Sequence, residues 1–279
     1  MNKLSELQQC QFDILLEIDR ICSKHNIPYY LAYGTCLGAY RHHGFIPWDD
    51  DIDICMMAED LERLKEYKEE FLSPYFLQCQ ETDPEYGPMI ARVRDSDTTL
   101  IERTEVERDI NHGVFVDIYP LFPSYENSKK ATRKIICSYI YRLLLYGHAP
   151  YNHGGVVKKV ANLLLKITPP ALKTAIKRHT YAVMRKETNT GFVSILYGGD
   201  ERVSYKKEWL FPTKKMMFED YSLPVPGQVE KYLEYSYGDY MKLPPPEKQT
   251  VHHDYVFVDV HNSYLKYKGD YYCKGSINE

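Results

Sequence analysis

Tyr33-Gly34-Thr35-Cys36-Leu37-Gly38-Ala39-Tyr40-Arg41, followed after His42-His43 by Gly44-Phe45-Ile46-Pro47-Trp48-Asp49-Asp50-Asp51-Ile52-Asp53-Ile54, is the most informative stretch of this chain. The alternation Asp51, Ile52, Asp53, Ile54 is strand periodicity, and it predicts a strand over 51–57. Residues two apart on a strand project from one face, so the Asp51 and Asp53 carboxylates are expected side by side. Like charges at that spacing repel, and a hard divalent cation between them relieves the repulsion. Mg2+ takes oxygen ligands and substrate phosphates. Upstream, 29–33 reads as a short strand, Gly34-Thr35 as a tight turn, and 36–41 as a short helix. Glycine admits close backbone approach, a threonine hydroxyl can donate a hydrogen bond, and a helix N-terminus favours an anion. Gly34 and Thr35 therefore read as a phosphate seat facing the carboxylates. For Asp49 to Asp53, a solvated acidic turn is the alternative.

Further along, Val114-Phe115-Val116-Asp117-Ile118 is a second apolar strand with one acid in it. A lone carboxylate in such a strand is costly unless it is paired or metal-bound. Asp51, Asp53 and Asp117 on neighbouring strands would make a site for one or two cations, able to clamp the attacking and leaving oxygens of a phosphoryl group. Arg92 and Arg94 lie two apart in a strand-like run and share a face. They read either as a phosphate clamp or as partners of local acids. Arg41 offers a bidentate guanidinium for a donor phosphate, or a surface ion pair. Trp48 could stack on a base or a quaternary ammonium, or simply pack.

The remaining chain frames this site. Ser5 and Gln8 have the spacing of a capping box, and Leu7, Ile14, Leu15, Ile18 and Ile21 recur at helical intervals until His25-Asn26 and Pro28. A second amphipathic helix is expected over 58–72. Residues 126–186 read as helices broken at Gly147–Gly155 and at Pro169-Pro170. After residue 191 the pattern changes to short aromatic strands and proline-rich turns. The expected organisation is a catalytic core over 1–125, a basic helical insert over 126–190, and a C-terminal portion over 191–279 that completes the core.

Length and composition bound the function. The chain has 279 residues, with 44% hydrophobic and 27% charged, a globular composition. The 35 Lys/Arg against 39 Asp/Glu give a net charge of −4. That total conceals an asymmetry: residues 127–186 hold 13 Lys/Arg and no acid, leaving 22 basic against 39 acidic residues elsewhere. A solvated helical face is the ordinary meaning of such a run. Helices with one apolar face and lysines elsewhere also suit an anionic membrane surface, and residues 128–186 are expected to offer one. No nucleic-acid module is visible, and no nucleic-acid partner is expected. No run approaches the ~18–20 apolar residues of a membrane span, and the N-terminus shows no apolar signal region. Seven cysteines without a CxxC pair indicate a reducing compartment. A cytoplasmic protein, peripheral on the inner face of the membrane, is the expectation.

Through Gly34–Arg41 and Gly44–Asp53 the sequence resembles the LicD family, whose members share a nucleotidyltransferase-like fold with fukutin and fukutin-related protein. The resemblance continues at Val116-Asp117-Ile118-Tyr119-Pro120-Leu121, at Phe218-Glu219-Asp220, through Pro224–Pro226, and at Tyr237-Gly238-Asp239-Tyr240-Met241 with Leu243-Pro244-Pro245. Cys36 stands where the family commonly has Leu, and Tyr40 where Val is common. The resemblance implies an α+β fold: a nucleotidyltransferase-like mixed sheet flanked by helices, here with an inserted basic helical segment. It implies a phosphotransferase that moves a substituted phosphate, such as phosphocholine or a polyol or sugar phosphate. The donor would be CDP-linked, such as CDP-choline, and the acceptor a hydroxyl of a cell-surface glycan (lipopolysaccharide or teichoic acid) or its lipid-linked precursor. By position, Gly34 and Thr35 would touch donor phosphates. Asp51, Asp53 and Asp117 would be the catalytic carboxylates holding Mg2+ or Mn2+, with Asp117 either base or ligand. On the acceptor side stand Tyr237, Asp239 and His252. The alternatives are a nucleotidyltransferase releasing pyrophosphate from an NTP, and a non-catalytic glycan- or lipid-binding protein on the same fold.

Overall fold

The computed structural model describes residues 4–147, 155–197, 200–251 and 253–274, with the backbone alone at 128, 156, 157 and 200. In chain order the helices and strands are α1 (Glu6–Lys24), β1 (Tyr29–Leu31), α2 (Tyr33–Arg41), β2 (Asp53–Met57), α3 (Ala58–Glu66), β3 (Tyr75–Gln78), β4 (Ala91–Asp95), β5 (Thr99–Glu102), β6 (Val114–Ser124), α4 (Ser128–Tyr146), α5 (Val156–Ile167), α6 (Pro170–Arg185), β7 (Phe192–Ile195), β8 (Tyr205–Lys206), α7 (Lys207–Leu210), β9 (Lys214–Phe218), β10 (Tyr221–Val225), α8 (Val229–Tyr237) and β11 (Tyr255–Asp259). This is the α+β class expected from the sequence. The chain divides into two compact units.

The first unit comprises residues 1–86, 90–119 and 208–279. Its central strands lie in the order β1-β2-β6-β4-β3. β1 pairs antiparallel with β2 (Leu31 opposite Ile54), and β4 with β6 (Arg92 opposite Asp117). β5 pairs with β11, and β9 with β10. α1 starts as the sequence predicts: the Ser5 side chain accepts from Gln8 N–H, and the Gln8 side chain accepts from Ser5 N–H. Its apolar residues Ile14, Leu15, Ile18 and Ile21 are fully buried, beside Tyr29, Tyr30, Ile54 and Val116 in the core. Burying each such side chain is worth about 1.5–3 kcal/mol, so this face anchors the helix.

Three local expectations are revised. Gly34-Thr35 is not a turn before a helix; it is the first turn of α2, which starts at Tyr33. Tyr33 makes the change from strand to helix at φ 44°, and its N–H donates to the Tyr232 hydroxyl at 3.0 Å. β2 begins at Asp53 rather than Asp51, so Asp49 to Ile52 form an irregular segment leading into the strand. The helix expected over 58–72 ends at Glu66, and a single 3-10 turn follows at Lys68–Glu70.

The second unit comprises 87–89 and 120–207. The end of β6 pairs with β7 (Leu121 opposite Ile195), and β7 with β8. The helices break where the sequence marks them. Gly147 closes α4 in the left-handed conformation at φ 69°, and Pro169-Pro170 opens α6. Lys134 is a buried internal fastener: its Nζ donates to the carbonyls of Pro123, Met184 and Lys186. No described helix is long and apolar enough to cross a membrane.

Candidate active site

The acidic run is held by its backbone before its side chains can act. Gln8 and Gln11, one turn apart on α1, donate from their amides to the carbonyls of Asp49 (3.0 Å) and Asp50 (2.8 Å). Both are buried polar residues on a face otherwise apolar. The downstream end is fixed by sheet pairing: Ala32 N–H donates to the Asp53 carbonyl, and Asp117 N–H to the Ile52 carbonyl at 3.0 Å. The two halves of the leading motif are tied together by Thr35, whose hydroxyl accepts from Asp53 N–H at 2.9 Å. Glu219, on the turn between β9 and β10, accepts from Phe45 N–H at 2.9 Å, and its own N–H donates to the His43 carbonyl. Gly44 makes that brace possible, since a Cβ there would stand 2.0 Å from Glu219 Oε1.

The Asp49, Asp51, Asp53 and Asp117 carboxylates act on one another electrostatically. Burial first, then the charges of Asp51, Asp117 and Asp49, pushes Asp53 well above the usual carboxylate range. Burial followed by the Asp51 charge raises Asp49 to about 8. Asp117 is raised to about 6 by burial, with Arg92 acting against the shift. Gly34 lies directly against this group: a Cβ would sit 2.8 Å from Asp49 Oδ2. The N–H groups of Gly34 and Thr35 belong to the first helical turn, where donors have no intrahelical acceptor. An anion held there lies next to the carboxylates, and a cation is what would reconcile the two.

A divalent cation fits this donor set. All the ligand atoms are oxygens, the charges are mutually repulsive, and Asp53 Oδ1 is buried without a hydrogen-bond partner. Among the described residues, the group of three whose ligand atoms lie within 4.8 Å of one another is Asp50, Asp51 and His253; of the expected ligands Asp51, Asp53 and Asp117, only Asp51 belongs to it. His253 Nδ1 is 3.0 Å from Asp50 Oδ1, and its Nε2 is 3.6 Å from Asp51 Oδ2. The hydrogen bond to Asp50 raises the His253 pKa to about 9. Tyr255, stacked on the His253 ring, donates its hydroxyl to the Asp50 carbonyl at 3.3 Å.

Arg92 and Arg94 take the ion-pairing alternative rather than the phosphate clamp. Arg92 Nε donates to Asp117 Oδ1 at 2.6 Å, and its NH1 reaches Glu102 (2.5 Å) and Glu105 (3.3 Å). Arg94 is fully buried, and donates to Gln78, to the Gly113 carbonyl and to Glu105. Arg94, with all three guanidinium nitrogens engaged inside the core, has no edge to offer a phosphate, and Arg92 spends its Nε and NH1 on Asp117, Glu102 and Glu105. Arg41 sits at the far end of α2 from Gly34, about 10 Å along the axis at 1.5 Å per residue. There it donates to the Tyr240 carbonyl and to His42. Trp48 is half-buried and meets the His42 ring edge-on at 6.4 Å. Tyr237 and Asp239 are exposed at the end of α8, and Tyr237 is near enough to Arg41 to act on its charge. His252 lies outside the described residues.

Sequence reasoning misses the Gln8/Gln11 clamp; it reads Asp49 as a solvated neighbour able to share Asp51's face, and the His252-His253 pair as an acceptor-side contact rather than a partner of Asp50. Two polar residues one turn apart on the buried face of α1 were the available signal for the clamp. The His252-His253 pair stands out locally, but its partner does not, because Asp50 is 203 residues away.

Residues 26–140 match the family described as LicD/FKTN/FKRP, nucleotidyltransferase domain. Over 261 residues the chain is 29% identical to the lipopolysaccharide cholinephosphotransferase LicD of Haemophilus influenzae, a match covering 90% of this chain and 96% of that protein. Shorter matches join it to an uncharacterized protein of Rickettsia prowazekii (40% over 60 residues, 22% of this chain and 23% of that one). A counterpart in Rickettsia typhi is 45% identical over 49 residues, 18% of this chain and 16% of that one.

Proposed function

From a chain whose residues 26–140 are a LicD-family domain, we propose a phosphotransferase acting on a glycan. It moves a substituted phosphate, phosphocholine or a polyol or sugar phosphate, from a CDP-linked donor to a hydroxyl of a cell-surface glycan or its lipid-linked precursor. The observation that carries this reading is the electrostatic action of the Asp49, Asp51, Asp53 and Asp117 carboxylates on one another, with Asp53 N–H donating to Thr35 and Asp49 lying against Gly34 in the first turn of α2. The cholinephosphotransferase named among the relatives supports the class of reaction. The core is formed by the first unit, 1–86, 90–119 and 208–279, and the expected insert over 126–190 widens to 120–207 because β7 pairs with the end of β6, and β8 with β7.

The chain's own groups have distinct tasks. Gly34 and Thr35 N–H groups bind a donor phosphate oxygen, with the α2 N-terminus adding its positive end. Asp51, Asp53 and Asp117 would hold Mg2+ or Mn2+, which supplies charge neutralisation and Lewis acidity at the phosphoryl oxygens. The acceptor hydroxyl oxygen forms the new bond to phosphorus, the bond to the CMP oxygen breaks, and a carboxylate takes the hydroxyl proton. Arg92, fixed on Asp117 Oδ1, keeps that carboxylate ionised and aimed, which suits a ligand and a proton acceptor alike. Phe218-Glu219-Asp220 serves the site at one remove, by bracing the loop that feeds the acidic run.

The test is the identity of the leaving group. Purified protein, a glycan acceptor and Mg2+ are expected to release CMP from CDP-choline or a CDP-polyol. Pyrophosphate released from CTP would make the chain a nucleotidyltransferase. Release of neither product from any donor in the panel, with glycan still bound, would leave a binding protein.

A further inference from the structure

The helices of the second unit do not spend their apolar residues alike. On α4, Ala131, Ile135 and Ser138 are buried, and two of its basic residues are structural: Lys134 holds three carbonyls, and Arg142 pairs with Glu201 at 2.6 Å. α5 is the reverse. Its one buried apolar side chain among those described is Leu165, 7% exposed. Val160, Leu163, Leu164 and Ile167 follow the i, i+3, i+4, i+7 spacing of a single stripe, and they are 49%, 57%, 52% and 62% exposed. At 100° per residue this stripe lies well away from Leu165, so the helix rests on Leu165 and turns its hydrophobic face outward. Lys159 and Lys166, both exposed, stand seven residues apart along one edge of the stripe.

We infer that α5 is a docking helix for an anionic lipid bilayer, with Val160, Leu163, Leu164 and Ile167 entering the interface and Lys159 and Lys166 at the headgroup level. An amphipathic helix of this kind binds through buried apolar area plus attraction between basic residues and anionic lipid. The charge pattern selects this occupant over a second copy of the chain. No acid occurs from 127 to 186, so a two-fold contact through this face would set lysines against lysines. The four side chains of the stripe are also too large an apolar display to leave in water without a partner. The inference is independent of the chemistry at the carboxylates, and its readout is binding.

The full-length protein is co-sedimented with phosphatidylcholine vesicles and with vesicles containing phosphatidylglycerol. It is expected on the anionic vesicles, and on the neutral ones only weakly. Lys159→Glu/Lys166→Glu should weaken binding by about thirtyfold or more, since each lysine near an anionic surface is worth about fivefold. Leu163→Ser/Ile167→Ser should weaken it by at least roughly tenfold through lost apolar contact. Both variants change exposed side chains, and circular dichroism melts are expected to match the parent. Equal binding to neutral and anionic vesicles, unaltered binding by either variant, or a dimer on light scattering that Leu163→Ser/Ile167→Ser dissolves would each overturn the inference.

Discussion

The first unit contains two clusters of buried charge that share a strand pair and behave in opposite ways. Around Arg92 and Arg94, two guanidiniums meet Glu102 and Glu105, and every charge has a hydrogen-bonded partner. Around Asp53, the carboxylates of Asp49, Asp51 and Asp117 act against it, and the cation that acts on Asp53, Arg92, is shared with the other cluster through Asp117. β4 and β6 place Arg92 opposite Asp117, so the two clusters meet at one rung of the sheet. A balanced cluster stabilises a fold. An unbalanced one is stored repulsion, and it points to a ligand that completes it.

The sharpest way to break this comparison is to neutralise one charge in each cluster. Asp53→Asn should lower phosphotransfer by about a thousandfold or more, roughly 4 kcal/mol at 1.36 kcal/mol per tenfold. The same change should raise the melting temperature of the metal-free protein only at alkaline pH, because near neutrality the buried Asp53 carboxyl, pushed well above the usual range, is already protonated. Retained turnover, or a melting temperature lowered at alkaline pH, would refute the assignment. Arg94→Met in the balanced cluster should do the opposite. Leaving Glu105 buried without that partner should cost about 3–5 kcal/mol in urea unfolding, and a loss under about 1 kcal/mol would show the network to be decorative.

The pH dependence of metal-free stability follows from the same imbalance. Asp49 near 8 and Asp117 near 6 both lie above the 3.8 of an unfolded aspartate. Between those values the folded chain keeps protons that the unfolded chain has released. The stabilisation is therefore complete below about pH 4 and is lost as pH rises through 6 and then 8. His253, raised to about 9 from 6.5, loses its contribution in the same direction. His112 is lowered to about 4 by burial and acts oppositely, but only between pH 6.5 and 4. Calorimetry in chelator should therefore show the melting temperature falling from about pH 6.5 to about 9, through Asp49 and His253. Millimolar Mg2+ should recover most of that fall at the alkaline end, since a cation binds the ionised folded form. A profile that rises with pH would contradict the cluster. The smallest effect belongs to the clamp. Gln11→Leu removes one donor from the Asp50 carbonyl and should cost about 1 kcal/mol of stability, with a rise in KM for Mg2+ that a distant mutation would not produce.

Much of this was legible before any coordinates. The Ser5–Gln8 cap and the helix breaks at Gly147 and Pro169-Pro170 are local patterns, and they survive folding because their partners are near in sequence; the alternation at Asp51 and Asp53 becomes strand only from Asp53 onward. Arg92 and Arg94 show the limit. Their spacing correctly set them as a strand pair, but spacing alone does not say whether a guanidinium meets a ligand or a glutamate. Glu102 and Glu105 reach them only after β4 has paired with β6 and the chain has folded back at β5.

By itself the sequence determined the family motif and the acids it contains, and through the resemblance of that motif the fold class, because motif residues are carried by the chain. The tertiary structure alone decided that Gln8 and Gln11 grip the acidic run, that His253 joins it from 203 residues away, and that the apolar stripe of α5 faces outward. A helical stripe is the same string of letters whether it is covered or bare. Only the packing of Leu165 on one side of α5, and the exposure of Leu163 and Ile167, distinguishes the two.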